Sequence, residues 1–177
     1  LETVVAYLPY PQEHAVTWLR VIRPLQQAGL IVLDGSAGGI NPELVAQADA
    51  VVIQREFPAY SSAAYTRILQ NARALRKPVI YEIDDLLLEL PPEHPDHHIH
   101  YYTYALLPML RALVEADLVT TTTPVLKSYF QQLNPHTCVL PNYLDDNLWQ
   151  PKPVIASEAK QSLAASEEKQ FPSQPKI

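Results

Sequence analysis

Three carboxylates fall within four residues in Tyr81-Glu82-Ile83-Asp84-Asp85, and acid-base chemistry is the first use such a group suggests. On an extended backbone the side chains alternate, so Glu82 and Asp84 share a face. Like charges placed together raise one another's pKa, which suits a general base or a metal ligand. The same residues also describe a solvated acidic loop capping the next turn. A second group, Glu93-His94-Pro95-Asp96-His97-His98-Ile99-His100, holds four of the six histidines. Imidazoles at that density bind zinc or nickel, but structural zinc sites draw on two separated chain segments and no other Cys or His pair exists here. A loop over a ligand cleft is the better reading. Arg20 and Arg23 lie three apart on one helix face. There they either meet a phosphate or anionic ligand or form a solvated face.

Other chemistries lack their parts. Gly38-Gly39 is the one glycine pair, and it precedes a helix start instead of following a strand in G-x-G-x-x-G spacing. There is no Walker loop, no Ser-His-Asp order and no cysteine pair, so kinase and hydrolase readings have no footing.

The elements that must carry these residues alternate along the chain. Strand-like runs occur at Thr3 to Leu8, Leu30 to Leu33, Ala50 to Ile53, Pro78 to Ile83, Asp117 to Thr121 and Thr137 to Leu140. They are short, rich in Val and Ile, and apolar on both faces, as strands covered by helices on each side are. Between them lie helical patterns. Trp18, Val21, Ile22 and Leu25 share one face, with Gly29 as the stop; Leu106, Leu107, Leu110, Leu113 and Val114 keep the same period in another. Asn41-Pro42-Glu43 and Thr123-Pro124 are helix starts, the latter ahead of Val125, Leu126, Tyr129, Phe130 and Leu133. The expected fold is a three-layer, doubly wound α/β domain with a mostly parallel, Rossmann-like sheet.

In such a sheet the ligand crevice lies at the carboxyl ends of the strands. That rule selects Tyr10, Asp34, Arg55, Glu56, Asp84, Asp85, Thr122, Thr123 and Asn142. Asp84 and Asp85 are the candidate catalytic pair; Tyr10, Arg20, Arg55, Glu82, Thr122 and Asn142 are candidate substrate-binding residues. Asp84 and Asp85 are expected to be partly exposed near Thr122 or Asn142. Their joint replacement by Asn should then cost within about 1 kcal/mol of stability.

A composition of 47% apolar and 18% charged residues is that of a globular domain, and residues 1–150 suffice for one core. The apolar runs are strand-length, so no transmembrane segment is expected. A net charge of -6 argues against nucleic acid. Cys138, the lone cysteine, reads as a small buried hydrophobe in a reducing cytoplasm. Residues 151–177 are polar and read as a disordered or loosely attached tail, whose removal from residue 155 onward should barely shift the unfolding midpoint.

From Lys77 to Trp149 the series of strand, acidic loop, helix, strand, Thr-rich cap, helix and strand ends in Pro141-Asn142-Tyr143-Leu144-Asp145. It resembles the end of the amino-terminal half of a GT-B glycosyltransferase of the family-4, group 1 type, in which a Pro-Asn-Gly-Val-Asp-like turn leads to the second domain. The resemblance covers residues 3 to 149. Many relatives carry a His after the fourth strand and a Gly-Gly loop after the first; here Asp84-Asp85 and Pro9-Tyr10-Pro11-Gln12-Glu13-His14 stand there. The Tyr-Glu-Ile-Asp-Asp segment resembles that of a subgroup. Asp84-Asp85 is also similar to the metal-binding carboxylates of GT-A enzymes, but GT-B enzymes generally use no catalytic metal, so neither metal nor cofactor is expected.

The resemblance implies the acceptor-binding half of a transferase that moves a sugar from a nucleotide-sugar donor to a glycan or lipid-linked acceptor in polysaccharide biosynthesis. A Glu-x7-Glu-like donor motif is absent from the chain, so the nucleotide sugar is expected to bind only with a second domain, and the isolated chain to be inactive. Val154-Ile155-Ala156-Ser157-Glu158-Ala159-Lys160-Gln161-Ser162 looks like the translation of a dispersed bacterial intergenic repeat, which implies a truncated gene; an ordinary polar tail is the alternative. A homodimer or a split-enzyme partner is admitted, and the expected location is the cytoplasm or the inner membrane face. The alternatives in function are a non-catalytic glycan-binding or regulatory module and a dinucleotide- or methyl-donor-dependent Rossmann enzyme. The second has an acidic residue, Asp34, after the second strand but lacks the glycines.

Overall fold

Short β-branched runs followed by amphipathic segments give β1 (Thr3–Tyr7), β2 (Ile31–Asp34), β3 (Ala50–Gln54), β4 (Val79–Glu82), β5 (Leu118–Thr121) and β6 (Thr137–Val139). They form one sheet in the order β2-β1-β3-β4-β5-β6, and every pairing is parallel. The computed structural model describes residues 2–57, 61–100 and 102–142. These belong to one compact unit, Leu1–Tyr143. The polar tail and the residues from 143 onward lie outside the described part of the chain.

β1 is where the winding reverses. Its Val4 and Ala6, with Leu8 just beyond it, pack with Val21 and Ile22 of the first helical segment on one face. Val5 and Tyr7 pack on the other, with Val45 of the 3-10 helix Pro42–Gln47. This strand order places the topological switch point between β1 and β3, where their loops diverge and leave a crevice. The layers are unequal. Helices α3 (Ser62–Ala74), α5 (Leu106–Glu115) and α6 (Pro124–Phe130) all contribute to the larger core through Tyr65, Ile68, Ala112, Leu113 and Phe130. Among the described helices, only the first segment covers the opposite face. Cys138, in register with Thr120 on that face, is therefore half-buried and not the buried hydrophobe expected.

Two helical patterns were misread by period alone. In α5 the buried residues are Pro108, Met109, Ala112 and Leu113, while Leu107 and Val114 are exposed. This helix is apolar nearly all round, so its sequence period does not choose a face. In α6, Phe130 is buried but Val125 is exposed. The first segment is not a plain α-helix either. A short α1 (Ala15–Thr17) opens into a π-helical stretch, Trp18–Ile22, before α2 (Arg23–Gln27) ends near Gly29, whose φ of 78° suits glycine.

The loop after β2 is held against β1 by a fully buried tyrosine. The Tyr7 hydroxyl donates to the Asn41 carbonyl at 2.9 Å, and its ring packs on Phe57. A Cβ on Gly35 would sit 2.4–2.8 Å from three ring atoms of Tyr7. The ring, pinned at both ends, has no room to retreat. Gly35→Ala is therefore expected to destabilise by about 1–3 kcal/mol, read as a lowered urea midpoint at unchanged slope. An unchanged midpoint would show that the Tyr7 ring is free to move.

Candidate functional site

Arg55, the first residue after β3, adopts a left-handed backbone with φ 49°. A non-glycine residue held there is strained, and such strain clusters at functional sites. Two bonds hold it. Its N–H donates to the Glu82 carbonyl and its own carbonyl accepts from the hydroxyl of fully buried Tyr81, at 2.8 and 2.9 Å. The guanidinium then gathers three carboxylates: Glu56 at 3.1 Å, Asp84 at 2.9 Å and Asp85 at 3.5 Å. Tyr102 completes the shell, with its hydroxyl 3.3 Å from Nη2. Tyr10 reaches the same group from the β1 loop by donating its hydroxyl to Glu56.

The electrostatics follow from this packing. Burial works against the Arg55 charge, yet Asp84 and Glu56 more than offset it and hold the guanidinium above its ordinary pKa. Burial pushes the Asp84 carboxyl above the usual carboxylate range; Arg55 opposes that and Asp85 adds to it. Like-charge repulsion is thus secondary to desolvation at this turn. Asp84 and Asp85 differ sharply in access: their side chains are 12% and 64% exposed. Asp85 is exposed and Asp84 only partly so, and Asp84 lies beside Thr122 as expected. Asp84 is tied in twice: its backbone carbonyl accepts from the Thr122 hydroxyl and its carboxylate pairs with Arg55.

Arg20 and Glu82 form a separate, buried network. The Arg20 Nε lies 2.8 Å from Glu82 Oε1, with both side chains 3% exposed. Arg20 Nη1 donates to the Leu140 carbonyl and to Asn142 Oδ1; Gln54 Nε2 donates to Glu82 Oε2, and the Thr17 hydroxyl to Gln54 Oε1. This ties the first helical segment to β3, β4 and the end of β6. Arg20 and Glu82, 4% and 2% exposed, therefore lie inside the fold and not on a solvated helix face, and Arg20 Nη2 is buried there with no hydrogen-bond partner among the described residues. The π-helical stretch is the reason: its wider turn carries Arg20 inward, where a 3.6-residue period sets it beside Arg23 on the polar face. Asn142 is exposed, with its side-chain oxygen used by Arg20. Thr123 caps α6 by accepting from the Leu126 N–H.

Two cavities flank the Arg55 group. One, of about 460 Å3, is lined by Arg55, Asp85, Leu87, Leu90, His94 and Tyr102 among others, and adjoins a second apolar space lined by His97 and His100. The histidine-rich segment contains a short helix α4 (Pro95–His98) and forms a wall of this cleft. Among the described residues, no three His, Cys, Asp or Glu side chains converge as metal ligands would. The other cavity, of about 660 Å3, lies between the loops that follow β1 and β2. Sequence reasoning missed Tyr102, which adjoins no strand end, and Gln54, the last residue of β3, whose amide is buried between Glu82 and Thr17. No described helix is long and apolar enough to cross a membrane. A scan of protein-family models found no match to the chain, and no curated protein matched it.

Proposed function

We propose that this chain is the acceptor-binding domain of a GT-B-type glycosyltransferase, with the cavity beside Arg55 taking the acceptor. The observation that carries the reading is the placement of an accessible carboxylate, Asp85, beside a buried, permanently charged guanidinium at the mouth of a mostly apolar cavity. Asp85 would accept the proton of the acceptor hydroxyl as its oxygen bonds to the sugar's anomeric carbon and the bond to the donor's diphosphate breaks. Arg55 orients Asp85, and Asp84 with Glu56 fixes Arg55. The apolar walls at Leu87 and Leu90 suit the carbon face of a sugar or the start of a lipid carrier. The Lys77 to Trp149 resemblance supports the donor class.

A dinucleotide enzyme fits less well. The β1 loop has Pro9 and Pro11 where close backbone approach to a pyrophosphate needs glycine and free N–H groups. Titration calorimetry of the chain with UDP- and GDP-sugars is expected to show no affinity tighter than about 1 mM, or about 4 kcal/mol. Micromolar binding of either donor would overturn the acceptor-side assignment.

A further inference from the structure

The cavity beside Arg55 is one end of a longer feature. The space that adjoins it has a volume of about 550 Å3, and Leu87, Leu90, Pro91 and Tyr102 line both. The two ends differ in chemistry. Arg55 and Asp85 line only the first; Leu88, Pro92 and Leu106 line only the second, where half of the lining residues are leucine or proline. Of its acidic groups, Glu89 accepts from the Tyr129 hydroxyl and Asp96 lies 3.8 Å from His94 Nδ1.

Leu106 also begins a stripe that leads away from this space. It is the first residue of α5, and Leu107, Leu110 and Val114 follow at spacings that keep all four on one side of the helix. They are 38%, 60%, 43% and 54% exposed, whereas a helix that is apolar all round is ordinarily covered on every side. An apolar stripe continuous with an apolar cavity suits one ligand, thin enough to enter the cavity and long enough to leave along the helix. A folded partner would cover the stripe without filling the space.

Charge decides the other end. Arg55 is the one Lys or Arg lining either cavity, and Glu56, Asp84 and Asp85 already surround it. A phosphate arriving there would meet the Asp85 carboxylate and find no unpaired cation. Sugar hydroxyls, which donate to a carboxylate, fit instead. We infer that the adjoining cavities bind a neutral glycolipid: a sugar head beside Asp85 and a single linear apolar chain between Leu88 and Leu106, leaving along Leu107 and Leu110.

That this glycolipid is the acceptor rests on the glycosyl-transfer reading. The binding itself does not.

The test is a ligand-observed NMR titration of the full chain at pH 8, above the ordinary range of histidine titration. The probes are methyl, hexyl and octyl β-glucoside and octyl phosphate, each below its critical micelle concentration. Affinity for the glucosides is expected to rise about 2-fold for each added methylene, as for a half-buried chain, and octyl phosphate to bind about 10-fold more weakly than octyl glucoside. Leu106→Asp puts a charge in the apolar space and, at the first position of α5, suits the helix dipole, so it should erase most of the chain-length gain while keeping the fold. Val125→Asp, at a position 79% exposed on α6 and outside both cavities, should leave the gain unchanged. Thermal unfolding checks each variant. The inference is overturned if methyl and octyl glucoside bind alike or neither binds, or if octyl phosphate binds as tightly as octyl glucoside or more so. It is also overturned if Leu106→Asp keeps the gain or Val125→Asp loses it equally. A flat series together with dimerisation that Leu107→Asp abolishes would assign the stripe to a second copy of the chain instead. A flat series without nucleotide-sugar binding would remove the glycolipid and leave the acceptor-side assignment; a rising series with micromolar nucleotide-sugar binding would do the reverse.

Discussion

Arg20→Ala is expected to lower the unfolding free energy by about 3–5 kcal/mol at neutral pH, the loss that follows when one partner of a buried ion pair is removed. Glu82 would stay 2% exposed with its carboxylate facing Gln54 alone. The Leu140 carbonyl would also lose its donor, and with it the link between β6 and the first helical segment. The pH dependence identifies the cause. In the parent, burial already raises the Glu82 pKa above its usual 4.5, with Arg20 opposing. A carboxyl whose folded pKa is raised contributes stability that is fully present below the unfolded value and lost as pH rises through the folded one. Without Arg20 the folded value climbs further. The deficit of Arg20→Ala should therefore shrink on going from pH 7 toward pH 4.5, whereas Glu82→Gln, which leaves a buried guanidinium unable to shed its charge, should show no such recovery in acid. Denaturant titrations at the two pH values check both. A deficit below about 1 kcal/mol, or one that does not shrink in acid, would show that the network is solvated and reduce it to a surface pair.

The sheet was legible because its strands are apolar on both faces and separated by helix-length segments, a pattern few other folds share. Local punctuation was equally readable: Asn41 accepts from the Glu43 N–H and Thr123 from the Leu126 N–H, each ahead of a proline at the helix start. The strand-end rule found Tyr10, Arg55, Asp84 and Asp85, which the fold does bring into one group. Periodicity failed where its premise did. Within Trp18–Ile22 the spacing is not 3.6, so Arg20 turned inward; around α5 nearly every residue is apolar, so none of them marks a buried face. The partition of the acidic turn was illegible for a different reason. Asp84 and Asp85 are the same residue type one position apart, and only the direction of the Arg55 guanidinium, set by a left-handed backbone, assigns one to the interior and the other to the cavity.

That partition makes the second large prediction specific. In an active two-domain enzyme carrying this chain as its acceptor side, Asp85→Asn is expected to reduce kcat by on the order of 100-fold, the contribution of a positioned carboxylate to proton transfer. Its side chain is 64% exposed, so stability should change by no more than about 0.5 kcal/mol. Asp84→Asn should behave differently. It weakens a 2.9 Å contact with a buried guanidinium, and charged hydrogen bonds contribute about 1.5–3 kcal/mol, so the joint replacement of both residues exceeds the roughly 1 kcal/mol expected for two exposed carboxylates. Loss of activity in Asp84→Asn would come through Arg55, and Arg55→Lys should reproduce it, because an ammonium cannot satisfy Glu56, Asp84 and Tyr102 in one planar fork. The measurements are kcat and KM of each variant beside its denaturant midpoint. If Asp85→Asn turns over as the parent does while Asp84→Asn only loses stability, the turn is a structural ion pair with a solvated neighbour, and the acid-base role must pass to another group lining the cleft.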